Sequence, residues 1–254
     1  MKAEVLCIHF LETDMGKLER LDKIISTQTS YSRKDIKRMA KQSEICVNSS
    51  VCKNADIKID PEKDIVTVKG EKIEYKQFVY YMMNKPKGVL SASNDKNAQT
   101  VIDILPSELY RKNLFPAGRL DKDTTGLLII TDDGDFAHRM LSPNKKVYKH
   151  YIATLDKPLT DDVKERFENG IVLADGTVCQ KAFFDKLSDN TALVKICEGK
   201  FHQVKKMFLS CSYTVLELER VQIGKLKLDE NLAPSCTREL TIVEKDEIFD
   251  SDFV

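Results

Sequence analysis

The sequence predicts an α+β protein whose larger part is a dominant, largely antiparallel sheet. Two patterns carry this. Strand-like runs separated by turns recur along 78–83, 127–131, 151–155, 191–197 and 215–223. The last alternates apolar and charged residues at Leu216-Glu217-Leu218-Glu219, and Leu226 and Leu228 then alternate with Lys225 and Lys227, the period of a sheet with one wet face. Helix-like stretches in this part are fewer and short, at 136–141, 161–168 and 202–209.

A smaller module precedes the sheet. Leu18, Leu21, Ile24 and Ile25 share one face of a short helix, and Ser32 is placed to cap a second one over 33–41. On that second helix Ile36, Met39 and Ala40 form the apolar face, while Arg33, Lys34, Lys37, Arg38 and Lys41 form the opposite one, with no anion read among them. Short strands follow at 45–47 and 65–68, with Asn48-Ser49 and 61–64 as turns. The polar stretch 71–77 reads as a link to the larger domain. Residues 1–14 show no clear periodicity, and a second Met stands at position 15, so residues 1–16 are read as an extension.

Composition limits the function. The chain has 254 residues, 42% apolar and 31% charged, with no apolar run approaching the ~20 residues of a membrane span and no secretory leader pattern. Seven cysteines, odd in number and never spaced Cys-x-x-Cys, point to free thiols in a reducing cytoplasm, and four scattered histidines leave no metal-ligand pattern. The net charge of zero is unevenly spread. Residues 1–14 carry −2, 15–79 carry +4, 80–243 carry +2 and 244–254 carry −4. A mildly basic body between acidic ends is compatible with a polyanionic partner. Five clustered cations on one helix face suit a phosphate backbone, although a merely solvated surface fits the same pattern.

Three segments have the residue types of a reactive site. In Pro116-Ala117-Gly118-Arg119-Leu120-Asp121 a carboxylate sits on a loop just before an apolar strand, either placed for catalysis or capping a turn. Lys149-His150-Tyr151 opens another strand. In 198–208, Val204, Met207 and Phe208 form a buried stripe, so Lys205 and Lys206 flank the core, where an ammonium calls for a carboxylate partner. Residues 131–135 are rich in Asp but lack the full calcium-loop pattern and read as a turn with Asp caps.

Taken together and in order, these pieces resemble the RsuA-like pseudouridine synthases. The matching residues are Asn84-Lys85-Pro86-Lys87-Gly88, Gly118-Arg119-Leu120-Asp121 with Thr125-Gly126-Leu127-Leu128, Thr131-Asp132-Asp133-Gly134, Lys149-His150-Tyr151, Glu198-Gly199 through His202-Gln203-Val204-Lys205, Arg220-Val221-Gln222-Ile223-Gly224 and Arg238-Glu239-Leu240. Upstream, Arg20-Leu21-Asp22-Lys23, Ser32-Arg33 and Val47-Asn48 resemble the S4 RNA-binding module, with Ser43 and Ser49 standing where such modules commonly carry glycine. The resemblance implies an S4-like domain over 17–75, a linker at 76–79, a catalytic domain over 80–243 with flanking helices and a central cleft, and an acidic tail over 244–254. His202-Gln203-Val204-Lys205-Lys206-Met207-Phe208 is similar to members acting on small-subunit ribosomal RNA.

From this resemblance follow the expected roles. Asp121 is the catalytic carboxylate, Lys205 the cation that keeps it ionised in a nearly dry crevice, and Tyr151 the ring that packs on the target base. Arg119, Arg20, Arg33, Lys34, Lys37, Arg38, Lys41, His202 and Gln203 are expected to bind RNA. No metal or cofactor is expected, and the partner is ribosomal RNA or an assembling ribosomal particle met by a monomer. Three other readings stay open: a non-catalytic RNA-binding protein, a synthase acting on large-subunit RNA, and an N-glycoside hydrolase.

Overall fold

A computed structural model describes residues 18–250, so the extension at 1–16 and the last four residues of the acidic tail lie outside the described part. The chain divides into two compact units, 1–77 and 78–254.

The small unit begins with β1 (Glu19–Arg20), then α1 (Leu21–Gln28), α2 (Arg33–Lys41), β2 (Ile45–Val47), β3 (Ser50–Val51), β4 (Lys58–Ile59), β5 (Val66–Val68) and β6 (Glu71–Ile73). The first helix starts later than its apolar spacing predicts. Leu18 is exposed, and the backbone of 19–20 pairs with 58–59 as a two-strand ladder before the helix can begin. The stretch read as a link from residue 71 likewise opens with a strand, β6, antiparallel to β5 in a sheet of order β3-β2-β5-β6. Ser32 caps α2 through a reciprocal pair with Asp35, satisfying two backbone donors that a helix start leaves open. Leu21, Ile24, Ile25, Ile36, Met39, Ala40 and Ile45 then close a core of their own.

Two serines in this unit adopt backbone conformations that favour glycine. Ser43 has φ 63°, and in the β2–β3 hairpin Asn48 and Ser49 have φ 49° and 65°. Positive φ at both central residues is the type I′ turn that matches strand twist. Asn48 supports it, accepting from the Ile65 amide and donating to Asp64.

The larger unit comprises β7 (Tyr80–Lys85), β8 (Phe115–Ala117), β9 (Thr125–Thr131), α3 (Gly134–Leu141), β10 (Lys149–Leu155), α4 (Asp162–Asn169), β11 (Phe183–Lys186), β12 (Thr191–Ile196), α5 (Gln203–Ser210), β13 (Val215–Ile223), β14 (Leu226–Lys227), β15 (Thr237–Glu239) and α6 (Ile242–Glu247). Nine strands form one sheet of order β11-β12-β10-β13-β9-β7-β15, with β8 on β9 and β14 on β13. All its pairings are antiparallel except β9 with β13, where Thr125 and Gly126 lie opposite Glu219 and Arg220. Strand β9 is buried on both faces. Leu128 and Ile130 join a core covered by Val163, Phe167, Val204, Met207 and Phe208, whereas Leu127 and Ile129 join one covered by Phe136 and Met140. That explains its unbroken apolar run.

The parallel contact is tight. Gly126 has φ +97°, and a β-carbon there would run into the Arg220 carbonyl, so no other residue fits without displacing one strand. The boundary at 243 needs correction. Thr241 and Glu244 form a capping box, Arg238 clamps Glu244, and Ile248 is wholly buried, so the tail to residue 250 belongs to the fold.

Candidate active site

Asp121 lies in the loop between β8 and β9, and the chain fixes that loop from below. Ser91 brackets the preceding residue, its Oγ accepting from the Leu120 amide at 3.1 Å and donating to the Leu120 carbonyl at 3.0 Å. The Thr124 amide closes a turn on the Asp121 carbonyl at 3.1 Å. Under the turn sits Lys85, fully buried at the end of β7. Its ammonium donates to the carbonyls of Pro86 (2.9 Å), Lys122 (3.3 Å) and Thr124 (3.0 Å). Burial pulls Lys85 down to about 8. A cation this deep persists because carbonyl dipoles replace its water, and two of the three here belong to the loop carrying Asp121.

Helix α5 supplies the opposing charge. Its apolar stripe places Phe208 against Phe167 and Phe184, with ring centroids 4.9 and 6.2 Å away. The turn before it faces the loop. Lys205 Nζ stands 3.4 Å from Asp121 Oδ2 and 2.5 Å from Asp123 Oδ1. His202 Nε2 is 3.5 Å from Asp121 Oδ1. The expected pairing of positions 121 and 205 is therefore present, with two changes. Lys205 is shared, and its hydrogen bond holds the Asp123 carboxyl below the usual range. The crevice is not dry, since the Asp121 and Lys205 side chains are 25% and 22% exposed.

Gln203 is the expected RNA contact that the structure reassigns. It is buried, donating to Glu198 Oε1 at 2.7 Å and accepting from the Lys200 amide at 2.9 Å. It anchors the loop before α5 and presents nothing to solvent. Position 203 faces the core with Met207, four residues on, which its amide also approaches.

Tyr151, in β10, is buried opposite Arg220 of β13, whose Nη1 donates to the Tyr151 hydroxyl at 3.5 Å. Arg220 is itself buried, with Nε on the Leu127 carbonyl at 2.8 Å and Nη2 lacking any hydrogen-bond partner. Tyr151, Arg220 and Gly126 thus fall on one line across the sheet, five residues from Asp121. Nearby Lys149 donates to the carbonyls of Met140 (2.8 Å) and Val147 (2.7 Å), and burial lowers it to about 8. Arg119 is exposed at the edge of the loop.

In the small unit, Arg20, Arg33, Lys34, Lys37, Arg38 and Lys41 line one hollow of about 720 Å³ together with Asp22. The face is less purely cationic than its sequence suggests. Arg38 pairs with Asp35 at 2.8 Å, Lys37 with Asp56 at 3.0 Å, and Arg20 with both Asp22 and Asp56. Asp56 arrives from a loop that helical periodicity does not register.

Asp123, Lys85 and Arg220 are absent from the expected site. Lys85 carried a signal, a lysine ending an apolar strand just before Pro86. Arg220 stood in a motif shared with the family but without a role, and Asp123 carried no signal beyond charge, since only the fold sets them beside Tyr151 and Lys205.

Residues 79–210 match the RNA pseudouridylate synthase family. Over 226 residues the chain is 42% identical to the uncharacterized RNA pseudouridine synthase YtzG of Bacillus subtilis (strain 168), covering 87% of this chain and 95% of that protein. It is 36% identical over 223 residues to ribosomal small subunit pseudouridine synthase A of Escherichia coli (strain K12), covering 87% and 96%. A crystal structure of a pseudouridylate synthase superposes with a TM-score of 0.64 at 32% identity, over 90% of this chain and 99% of that one.

Proposed function

The chain belongs to the RNA pseudouridylate synthase family, and on that premise we propose that it converts a specific uridine of small-subunit ribosomal RNA to pseudouridine, with Asp121 as the catalytic carboxylate. The observation that carries this is one carboxylate on a braced loop, met at 3.4 Å by an ammonium from a helix more than eighty residues along the chain.

The reaction breaks the N1–C1′ bond, turns the base and joins C5 to C1′. The proton on C5 is lost to solvent and N1 is protonated, so mass and oxidation state are unchanged and no cofactor is required. Asp121 serves either as nucleophile towards the sugar or base, or as acceptor of a sugar proton, and the same placement suits both. Lys205 offers a fixed counter-charge at the carboxylate. Tyr151, steadied by Arg220 and β13, packs against the target base.

The uridine must leave its stack, at a cost of a few kcal/mol. Arg119, exposed beside the loop, fills the vacated space or holds the backbone. The small unit acts as an S4-like module whose cationic hollow adds affinity for phosphate, with base readout left to the larger unit. The protein works as a cytoplasmic monomer on RNA or on an assembling particle.

Small-subunit RNA carrying tritium at uridine C5 tests this. The protein should release tritium equivalent to one uridine per molecule, and carbodiimide mapping of ribosomal RNA should lose one stop in cells lacking it. No release would overturn the reading, and free uracil would replace it with N-glycoside hydrolysis.

A further inference from the structure

Phe201 is the most exposed aromatic side chain among the described residues, at 71%. It is not left there by want of structure around it. The next residue, His202, has φ 52° and ψ 35°, a left-handed backbone that a non-glycine residue adopts at a cost and that persists where the surroundings hold it. Gln203 and Glu198 do so from the buried side. The result lays the two rings face to face, with centroids 3.8 Å apart and planes 20° from parallel. The imidazole of that stack is the one whose Nε2 reaches Asp121. The Phe201 ring therefore stands one imidazole away from the carboxylate, facing solvent.

We propose that Phe201 and His202 form a stacking platform for the nucleobase adjacent to the target uridine. This rests on the reading of the chain as a uridine isomerase. A nucleotide turned out of its stack exposes the face of its neighbour, and an aromatic ring of similar area replaces the lost contact whatever the base. Lys206 completes the arrangement. Its ammonium lies 5.2 Å over the Phe201 ring and 3.7 Å from an Asp175 carboxylate oxygen, within reach of the phosphate of a nucleotide on the platform. Stacking of this kind tolerates any base, so this loop holds the opened-out RNA in place, separate from the groups that act on the uridine.

The test compares wild type, Phe201→Leu and Phe201→Tyr on small-subunit RNA from cells lacking the protein, by tritium release. Leucine keeps the apolar bulk and removes the aromatic face. It should lower kcat/KM about five- to hundredfold, mainly through KM, while tyrosine stays near wild type. In the Asp121→Asn background, 2-aminopurine placed in turn on each side of the mapped uridine should be quenched on binding, on one side only, and not by the protein also carrying Phe201→Leu. Phe201→Leu within twofold of a wild type that releases tritium, or quenching that survives the leucine, overturns the platform and leaves the isomerase reading intact. A wild type that releases no tritium removes both.

Discussion

The cations on α2 of the small unit and the buried cations of the larger one are held in opposite ways. In the small unit they stand on the outer face of α2, half-exposed, and their partners are carboxylates such as Asp35 and Asp56. In the larger unit Lys85, Lys149 and Arg220 are buried, and backbone carbonyls receive their hydrogen bonds. Surface cations are screened and exchangeable, so they supply affinity that no single geometry controls. A buried cation with carbonyl partners fixes backbone position, because moving the loop would strand the charge. The cations of α2 can exchange partners with the solvent, whereas Lys85 holds the loop that carries Asp121 in place.

The contrast breaks first at Asp121. Asp121→Asn should lower turnover at least about 10³-fold in single-turnover assays, with RNA affinity within twofold of wild type. A large loss of affinity would mean the two units do not divide the work. Next, neutralising Arg33, Lys34 and Lys41 together should weaken RNA binding about tenfold near physiological salt and reduce the slope of log affinity on log salt by about two to three. Neutralising Lys37 and Arg38 should do less, because each already shares a carboxylate. Equal effects from both sets would show that the intramolecular pairs open when RNA binds.

Smaller effects test the frame around each region. Arg238 holds Glu244 down at about 2, against an ordinary value of 4.5. A carboxyl with a depressed folded value stabilises fully above its unfolded value and loses that contribution as pH falls from about 4.5 to about 2. Allowing for solvent screening, Glu244→Gln should cost about 1–2 kcal/mol in urea unfolding at pH 7 and almost nothing at pH 2. The smallest change is in the hairpin of the small unit. Ser49→Gly relieves a φ of 65° and should stabilise the protein by about 0.5 kcal/mol, less than the strain itself because glycine also gains freedom when unfolded. A loss of stability would mean that the serine makes up for its backbone strain.

Local pattern made some of this legible. The helix at 33–41 with its Ser32 cap matches the spacing read from the chain, as does the strand at 215–223 with its alternation. Boundaries moved where a long-range partner intervened. Residues 19–20 became a strand because 58–59 lay beside them, and 241–248 joined the fold through Arg238 and the Gly224 turn, on which Ile248 packs closely. Gln203 was expected to be an RNA contact because it stands in the motif that carries the resemblance, between His202 and Lys205. Its burial follows from Glu198, which has no reason in the sequence to point inwards.

The sequence by itself determined the class of fold, the amphipathic basic helix and, by resemblance, the family, because periodicity and motif order are properties of neighbours along the chain. The tertiary structure alone decided that Lys205 is shared between Asp121 and Asp123, that Arg220 stands behind Tyr151, and that Phe201 is stacked outward beside the carboxylate. Those relations are set by the single parallel pairing of β9 with β13 and by the packing of α5 on its aromatic neighbours. Contacts across such distances depend on the register of whole elements, and no window along a chain contains them.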